Sequence, residues 1–238
     1  MNILGMFARH PAPGKTKTRL AADTGEQAAA ELYACFVQDL VRRTACLADQ
    51  VWLAITPDTN TSHNWFRNLS DSDSDIDFLL LTQPQGNLGE RIAWFFRTAA
   101  AQGQGPAVLI GTDSPDLPSS RITQAFRILN DGIADVVTVP ATDGGYVLIG
   151  VAGEPGDLFN NIRWSSPFTL LDTLRSAGHA GMRFSVLSPW YDIDHAENLG
   201  TLLALQKSPG LTEAAACPDT TRYLTQLLPD ITDTCDNN

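Results

Sequence analysis

The 238-residue sequence predicts a three-layer α/β fold, in which helices cover both faces of a mixed, mostly parallel β-sheet. Short β-prone apolar runs alternate along the chain with longer amphipathic stretches, which is the pattern of parallel strands joined by helices. The runs are hydrophobic at nearly every position, as is typical of strands buried on both faces. We expect one large domain over residues 1–207 and a partly helical C-terminal appendage over residues 208–238.

The first apolar run is too short for a signal peptide or a membrane span and has no basic segment before it, so we assign it as the first strand. The predicted strands, in order, are Ile3–Ala8, Val51–Thr56, Phe78–Thr82, Ala107–Gly111, Val136–Val139, Tyr146–Gly150 and Arg183–Leu187. The predicted helices are Gly25–Ala48, Leu88–Ala101, Ser119–Asn130, Pro167–Ala177 and Ala196–Gln206.

Periodicity and capping residues support these helices. In the first helix Leu32, Phe36 and Leu40 recur every four residues and form a core-facing stripe. Pro167 is suited to a first helical position, where its missing N–H costs nothing. The serine- and aspartate-rich run from Ser70 to Asp77 is predicted to be a solvated loop, since it lacks the glycine and closing glutamate of a calcium loop.

The charge and the cysteines restrict the kinds of partner. Sixteen basic and 27 acidic residues give a net charge of −11, which argues against nucleic-acid binding but permits a small phosphorylated ligand. Cys35 and Cys46 are about 16 Å apart along one predicted helix, too far to bridge. Cys217 and Cys235 can pair only if the tail folds back. We therefore expect a reduced, cytoplasmic protein without a membrane span.

Basic residues cluster directly after the first predicted strand. Arg9, Lys15, Lys17 and Arg19 are four of the sixteen lysines and arginines in the chain. In α/β sheets ligands gather at the carboxyl ends of strands, so the cluster favours phosphate binding over a solvated basic loop. It is not a Walker A loop, because Arg9 stands where that motif needs a glycine, five residues before Gly14.

Carboxylates follow two other strands. Asp113 comes after the fourth strand, where it is either a ligand of Mg²⁺, which favours one or two carboxylates with phosphate oxygens, or the acceptor of a tight turn. Asp192 and Asp194 alternate along a short extended segment, which puts both on one face. Asp194 with Glu197 also resembles a capping box at the start of a helix.

Two further segments have both a structural and a functional interpretation. The run from Asp143 through Gly144 and Gly145 to Tyr146 is typical of a hairpin turn, and its glycines also allow close approach to a ligand. Trp164 either stacks on a sugar or base, or caps the next helix. The segment from Gly86 to Arg91 either offers helix amides to a phosphate or begins a helix.

In this order, the segments resemble a bacterial family of GT-A-like proteins, described mostly as a domain of unknown function or as selenodomain-associated glycosyltransferase-like proteins. The family looks like a branch of the nucleotide-diphospho-sugar transferase superfamily and is distantly similar to phospholactate and molybdenum-cofactor guanylyltransferases. The resemblance runs from Ile3 to about Leu205. It is carried by Phe7–Arg9, Pro13–Lys15, Lys17–Ala21, Leu88–Arg91, Gly111–Pro115, Asp143–Tyr146, Leu148–Gly150 and Asp192–Asp194.

The resemblance implies a Rossmann-like GT-A fold. It implies that Lys15, Lys17 and Arg19 hold nucleotide phosphates, as a comparable Lys-x-Arg-Leu-Ala loop does in phospholactate guanylyltransferases. It also implies that Asp113, with Asp194 or Asp192, holds Mg²⁺ or Mn²⁺. The sequence departs from the Asp-x-Asp pattern of many GT-A enzymes, since Ser-Pro-Asp follows Asp113.

We therefore expect a transferase that moves a glycosyl group from a nucleotide sugar, or a nucleotidyl group from a nucleoside triphosphate, to a small-molecule acceptor. Asp113 acts through the metal, and Asp143 is a candidate general base. Asp143, Gly144, Gly145, Tyr146 and Trp164 are expected on the acceptor side. The alternatives are a silent nucleotide-binding protein and a partner-binding scaffold that uses Trp52, Trp65 or the acidic loop 71–77.

Overall fold

A computed structural model of the protein describes residues 1–71, 77–103, 105–208, 210–212 and 215–227. The strands are β1 Ile3–Arg9, β2 Gln50–Thr56, β3 Leu79–Thr82, β4 Pro106–Gly111, β5 Val136–Pro140, β6 Tyr146–Ala152 and β7 Phe184–Val186. The helices are α1 Thr18–Thr24, α2 Glu26–Thr44, α3 Asn60–Asp71, α4 Leu88–Gln102, α5 Ser119–Asn130, α6 Thr169–His179, α7 Glu197–Gln206 and α8 Pro218–Leu227.

The strands form one sheet in the order β3-β2-β1-β4-β6-β5-β7. β6 runs antiparallel to both of its neighbours, β4 and β5, and every other adjacent pair is parallel. The predicted mixed, mostly parallel sheet is therefore confirmed. Because β1 lies between β2 and β4, the carboxyl ends of these three strands meet at one edge, where α/β proteins bind ligands.

Helices bury both faces of the sheet. In β1 the side chains of Leu4 and Met6 belong to one core cluster, which includes residues from α2, α3, α5, α7 and α8. Ile3 belongs to a second cluster on the other face, built mainly with α4, and Phe7 packs against it. This alternation along a strand is the two-residue period of β-structure, and it confirms the three-layer arrangement.

Two of the helices, α1 and α3, were not predicted from the sequence. α1 is short, buries only Leu20, and begins after Lys17 without a side-chain cap, so it carries none of the usual starting signals. α3 has a polar sequence and few apolar positions, although Phe66 packs in the core and Thr59 Oγ1 accepts the amide of Ser62 at its start. Tertiary burial overrides weak propensity in both cases.

One predicted helix start and one predicted helix cap differ from the structure. α6 begins at Thr169 and not at Pro167, which lies in the turn before the helix. α7 begins at Glu197 without a side-chain cap, so Asp194 does not form a capping box there. The Asp194 carboxylate is instead engaged by cations of the β1–α1 loop, which it would have to leave in order to cap the helix.

The C-terminal helix α8 packs on α2 through a buried carboxylate. Asp39 accepts hydrogen bonds from the amides of Asp219 and Thr220, at 3.0 and 2.8 Å, and so caps the start of α8. Leu224 of α8 is part of the core cluster that contains α2. The domain boundary after residue 207 stays a prediction, and the helical character expected for the appendage is present in α8.

Several predictions concern features that lie partly outside the described residues. Residues 72–76 of the predicted acidic loop lie outside the described residues, and α3 extends to Asp71. Cys35, Cys46 and Cys217 are free thiols, and Cys235 falls outside the described part. No helix among the described residues combines the length and apolar character that crossing a bilayer requires.

Candidate functional site

A cavity of about 410 Å³ opens at the carboxyl ends of β1, β2 and β4. It is lined by all four basic residues singled out from the sequence, namely Arg9, Lys15, Lys17 and Arg19. Asp113 and Asp194, which come from two distant segments of the chain, line the same cavity. The structure therefore brings the predicted cations and two of the predicted carboxylates into one cleft.

Local hydrogen bonds hold the loop that carries the cations. The amide of Lys15 donates to Ala12 O at 3.0 Å and closes a turn. Arg9 Nη1 donates to Lys15 O at 2.9 Å, and the buried Thr16 hydroxyl donates to His10 O at 2.9 Å. These bonds hold the backbone of the loop and do not involve the side chains of Lys15 and Arg19. Both side chains are exposed and line the cavity.

Lys17 points inward from a left-handed backbone conformation, with φ 50° and ψ 47°. Such a conformation costs a non-glycine residue roughly 1–2 kcal/mol. The side chain is only 5% exposed, and its Nζ lies 2.6 Å from Asp113 Oδ1 and 3.0 Å from Asp194 Oδ1. Nζ also donates to Ile193 O at 2.7 Å. An ammonium has three hydrogens, so these three acceptors satisfy it completely.

Charges within the cluster reinforce one another. Burial disfavours the charged form of Lys17, but Asp113 and Asp194 outweigh it and raise the pKa of the ammonium. Burial likewise opposes ionisation of Asp194, while Lys17 and Arg19 together hold the pKa of this carboxyl below its usual value. Arg19 Nη1 lies 3.3 Å from Asp194 Oδ2 with its side chain 71% exposed, so this outer contact is weak.

The segment after β7 is fastened to the turn that carries Asp113. The amide of Ile193 donates to Asp113 O at 2.9 Å, and Ser114 Oγ lies 2.7 Å from Asp192 Oδ1. Burial, with a contribution from nearby Asp113, raises the pKa of Asp192 to about 6. Asp192 is therefore held next to Asp113, although it is not one of the three acceptors of Lys17 Nζ.

Asp116, the second carboxylate of the Asp113 turn, has a structural role. It is buried, and both Trp190 Nε1 and the Tyr191 hydroxyl donate to it. These bonds use both of its oxygens and fix the segment that leads to Asp192. The two carboxylates nearest the cleft therefore come from two chain segments and not from one Asp-x-Asp motif.

The oxygen donors suit a hard cation, but they do not form a complete protein cage. Within the described ranges no group of three or more His, Cys, Asp or Glu side chains has the geometry to hold a metal ion. Asp113 and Asp194 nevertheless contact one shared cation, the Lys17 ammonium. A Mg²⁺ or Mn²⁺ ion held by one or two carboxylates and completed by phosphate oxygens and water fits this donor set.

A second cavity of about 260 Å³ lies on the other side of Asp113 and shares Phe7 and Leu88 with the first. Asp192 and Tyr146 line it together with apolar side chains of β4, β6 and α4. Tyr146 thus shares this cavity with Asp113 and Asp192, and its acceptor-side role stays a prediction.

Asp143 and its two glycines form the turn between β5 and β6, which confirms the hairpin interpretation. Asp143 Oδ1 accepts the amide of Gly145 at 2.9 Å, and Gly144 has φ +90°. A Cβ on Gly144 would lie 2.4 Å from Pro167 O, so the close approach that this glycine permits is to the chain before α6. Asp143 is exposed and lines neither of the two cavities, and its role as a base stays a prediction.

Trp164 lies beside the start of α4. A Cβ on Gly89 would lie 2.3 Å from its Nε1, and its ring is 6.3 Å from that of Phe159. Trp164 lines a separate cavity with residues of α4, so the structure does not bring it to the cleft of Lys17 and Asp113. The helix that starts here has a capping box, in which the side chains of Asn87 and Glu90 accept each other's backbone amides, so these two amides are already used within the protein.

Sequence analysis missed three cavity residues. Arg91 and Gln83 line the cleft, and Arg91 Nη1 donates to Gln83 Oε1 at 3.2 Å. Arg91 was named from the sequence only as part of the segments Gly86–Arg91 and Leu88–Arg91 and not for its side chain. Gln83 directly follows a strand, which is the position that marks ligand contacts. Tyr33 supports the cleft floor, with its hydroxyl 2.6 Å from Thr112 Oγ1, but within the apolar stripe of α2 it gave no signal.

The sequence profile of a family described as "Uncharacterized protein conserved in bacteria (DUF2064)" matches residues 39–166, more than half of the chain. The matched range contains Asp113, Asp143, Tyr146 and Trp164 but not the basic loop. No functionally curated protein matches the sequence.

Among solved structures, the chain is similar to one described as a "putative nucleotide-diphospho-sugar transferase" from Desulfovibrio desulfuricans G20. The identity is 28%, the match covers 98% of this chain and 97% of that one, and the TM-score is 0.85. A cytidylyltransferase from Leptospira borgpetersenii serovar Hardjo-bovis shares 13% identity over 97% of this chain and 95% of its own, with a TM-score of 0.56.

A CMP:2-keto-3-deoxy-manno-octonic acid synthetase complexed with CTP matches at 10% identity and a TM-score of 0.52, over 86% of this chain and 97% of its own. At this identity the likeness shows the fold alone, as it does for the cytidylyltransferase. The GT-A-like fold is thus shared with nucleotide-diphospho-sugar transferases and nucleotidyltransferases.

Proposed function

We propose that this chain, which belongs to the DUF2064 family of uncharacterized proteins conserved in bacteria, is a nucleotide-diphospho-sugar transferase that passes a glycosyl group to a small-molecule acceptor. One observation carries the proposal. Five basic residues, the predicted four and Arg91, converge with two carboxylates on a cavity at the carboxyl ends of three parallel strands, in a chain whose net charge is −11. A cleft of this composition selects a ligand that is anionic and accompanied by a cation.

The diphosphate would lie along the β1–α1 loop. Lys15 and Arg19 are exposed at the cavity wall and supply positive charge without giving up a strong existing ion pair. Arg9 braces the loop through Lys15 O and lines the cavity itself. As the bond from the sugar to the diphosphate breaks, negative charge grows on the leaving phosphate, and cations already fixed at that place stabilise it.

Asp113 with Asp194, or with Asp192, would hold Mg²⁺ or Mn²⁺ beside the phosphates. When bound, the ion supplies Lewis-acid stabilisation of the leaving phosphate. The carboxylates are positioned for this by the backbone bond from Ile193 to Asp113 and by the hydrogen bond between Ser114 and Asp192.

The acceptor would occupy the second cavity, between Asp113 and Tyr146. Its apolar lining would exclude water from the reacting groups and favour an acceptor molecule that carries apolar groups. With Asp194 as the second metal ligand, the Asp192 carboxyl, which lines this cavity and whose pKa burial raises to about 6, is suited to take the proton that the acceptor hydroxyl loses. This cavity is not lined by Asp143, Gly144, Gly145 or Trp164. Their acceptor-side roles stay predictions.

The second candidate is nucleotidyl transfer to a small phosphorylated acceptor. It is favoured by the run Lys17-Thr18-Arg19-Leu20-Ala21, which resembles the phosphate-binding loop of phospholactate guanylyltransferases and which starts α1 at the cavity wall. The products separate the two reactions. Glycosyl transfer releases a nucleoside diphosphate, whereas nucleotidyl transfer from a triphosphate releases pyrophosphate.

The test is a thermal-unfolding panel of nucleoside triphosphates and nucleotide sugars, each with and without Mg²⁺ or Mn²⁺. A ligand at a hundred times its dissociation constant adds about 2.7 kcal/mol to stability. For a chain of this length that raises the unfolding temperature by roughly 5–10 °C. A Lys15→Gln/Arg19→Gln double variant should lose most of the shift. The proposal fails if no nucleotide gives a metal-dependent shift. Thermal shifts without turnover of any donor would support a non-catalytic nucleotide-binding protein.

A further inference from the structure

The Lys17 ammonium sits where a cation shared by two carboxylates has to sit. Its Nζ lies 2.6 Å from Asp113 Oδ1 and 3.0 Å from Asp194 Oδ1, and it also donates a hydrogen bond to Ile193 O. Lys15 lies two residues earlier in the same loop but is exposed, and it makes no ion pair with any residue of the described ranges. Only one of the two loop lysines is therefore built into the carboxylate pair.

A divalent cation that ligates both of these oxygens would have to occupy the space now held by Nζ. Metal–oxygen distances are shorter than the ammonium–oxygen contacts seen here, and two cations that share these oxygens would repel each other strongly beside the buried Nζ. The two cations therefore cannot both contact this pair of oxygens. Whichever one leaves needs another set of anionic partners.

We propose that Lys17 is the resident counter-cation of the Asp113–Asp194 pair, and that it and a divalent metal exclude each other there. The metal consequently loads well only together with an anionic phosphate, which receives the Lys17 ammonium. This inference rests on the proposed function for the identity of that anion, but the exclusion itself depends only on the two carboxylates and the lysine.

The left-handed backbone of Lys17 is consistent with this role. The conformation is uncommon for a residue with a side chain, and it directs the lysine into the cleft at the point where α1 begins. A lysine whose only task was to contact bound phosphate would gain nothing from being aimed at two carboxylates in the free protein. A lysine that keeps the carboxylates neutralised until the ligand arrives requires this geometry.

The test measures binding of Mn²⁺ alone, without nucleotide, to the full chain by calorimetry or by the paramagnetic resonance signal of free Mn²⁺. We expect Lys17→Met to bind Mn²⁺ at least tenfold more tightly than the wild type. Lys17→Arg, which keeps the charge, and Lys15→Met, which removes a charge of the same loop, should both stay near the wild-type affinity. Equal or weaker Mn²⁺ binding by a folded Lys17→Met protein would overturn the proposal.

A second measurement needs no variant and decides the matter if Lys17→Met does not fold. Amine-reactive labelling of the wild type, read by mass spectrometry, should modify Lys17 slowly in metal-free buffer and several-fold faster in Mg²⁺ at tens of millimolar. Labelling of Lys15 serves as the internal control and should not change. Labelling of Lys17 that is indifferent to Mg²⁺ would sink the idea of exclusion.

The outcomes are separable from those of the proposed function. A chain that binds no nucleotide can still show tighter Mn²⁺ binding after Lys17→Met, in which case only the function fails. A chain that binds nucleotides with metal dependence, but whose Mn²⁺ affinity ignores Lys17, loses only the inference drawn here.

Discussion

Arg91 Nη1 donates a hydrogen bond of 3.2 Å to Gln83 Oε1, which ties the first turns of α4 to the end of β3. Gln83 is itself fixed, because its buried Nε2 donates to Ala54 O at 2.7 Å. The guanidinium is therefore held at the wall of the first cavity, at the end remote from Asp113 and beside the last residue of β2, Thr56. For the nucleotide ligand proposed above, this position suits contacts to the nucleoside part.

Replacing Arg91 by alanine should weaken nucleotide binding by about tenfold or more, since a hydrogen bond that involves a charged group contributes about 1.5–3 kcal/mol. Calorimetric titration with whichever nucleotide stabilises the wild type measures the change. Arg97→Ala is the matched control, because this exposed arginine of the same helix lines a different cavity. Equal losses in both variants would mean that the effect is general electrostatic attraction and not a contact at Arg91.

Asp113→Asn should abolish the metal dependence of nucleotide binding while the protein stays folded. Asparagine keeps the size and one carbonyl oxygen but loses the charge that a divalent ion requires. The measurement is the thermal shift with nucleotide in Mn²⁺ and in chelator, and we expect the two values to converge. Asp143→Asn, in a turn outside both cavities, is the control and should retain the difference. A persistent metal dependence in Asp113→Asn would assign the ion to other carboxylates.

Asp39→Ala should lower the free energy of unfolding by about 2 kcal/mol, because the buried carboxylate caps α8 through two backbone amides that would lose their acceptor. Urea unfolding measures the loss, and limited proteolysis should show earlier cleavage within residues 218–227. Glu31→Gln is the control on the same pair of helices, since its exposed contact with the Tyr223 hydroxyl contributes little. Loss in both variants alike would argue that α8 is held by its apolar face alone.

The ion pair between Arg163 and Asp172 should make stability depend on pH in acid. Side-chain hydrogen bonds from Arg163, at 2.7 and 2.8 Å, lower the pKa of Asp172 to about 2. A folded-state pKa below the unfolded value means that the contribution is fully present above about pH 4 and is lost as the pH falls towards 2.

Thermal unfolding of the wild type and of Arg163→Gln between pH 7 and pH 3 checks this. The wild type should unfold at the higher temperature at pH 7, and the gap should narrow steadily below pH 4. Arg175→Gln, whose guanidinium is 3.7 Å from the same carboxyl, should give a smaller gap. A gap that is constant down to pH 3 would show that the effect of Arg163 is packing and not charge.

A mixed, mostly parallel sheet could be predicted, because burial on both faces leaves a local signature of continuous apolar runs. α1 and α3 could not be, since their stability comes from a few buried residues such as Leu20 and Phe66 and from the helices around them. The hairpin at Asp143 followed from turn chemistry that is local in sequence. Its distance from the cleft, and that of Trp164, depended on how the segment before α6 folds over Gly144 and Gly89.

The sequence by itself determined the residue types of the cleft and the edge of the sheet where they meet. The charge of a residue, its position after a strand and the order of the strands along the chain can all be read from nearby sequence. Adjacent parallel strands then place their carboxyl ends at the same edge of the sheet. Only the tertiary structure decided which charges pair. Lys17 and Asp194 lie far apart in the chain, and nothing in the sequence near either predicts that the lysine neutralises Asp113 and Asp194 while Asp116 is used by Trp190 and Tyr191. Pairing depends on distances of a few ångströms, which are set by packing and not by composition.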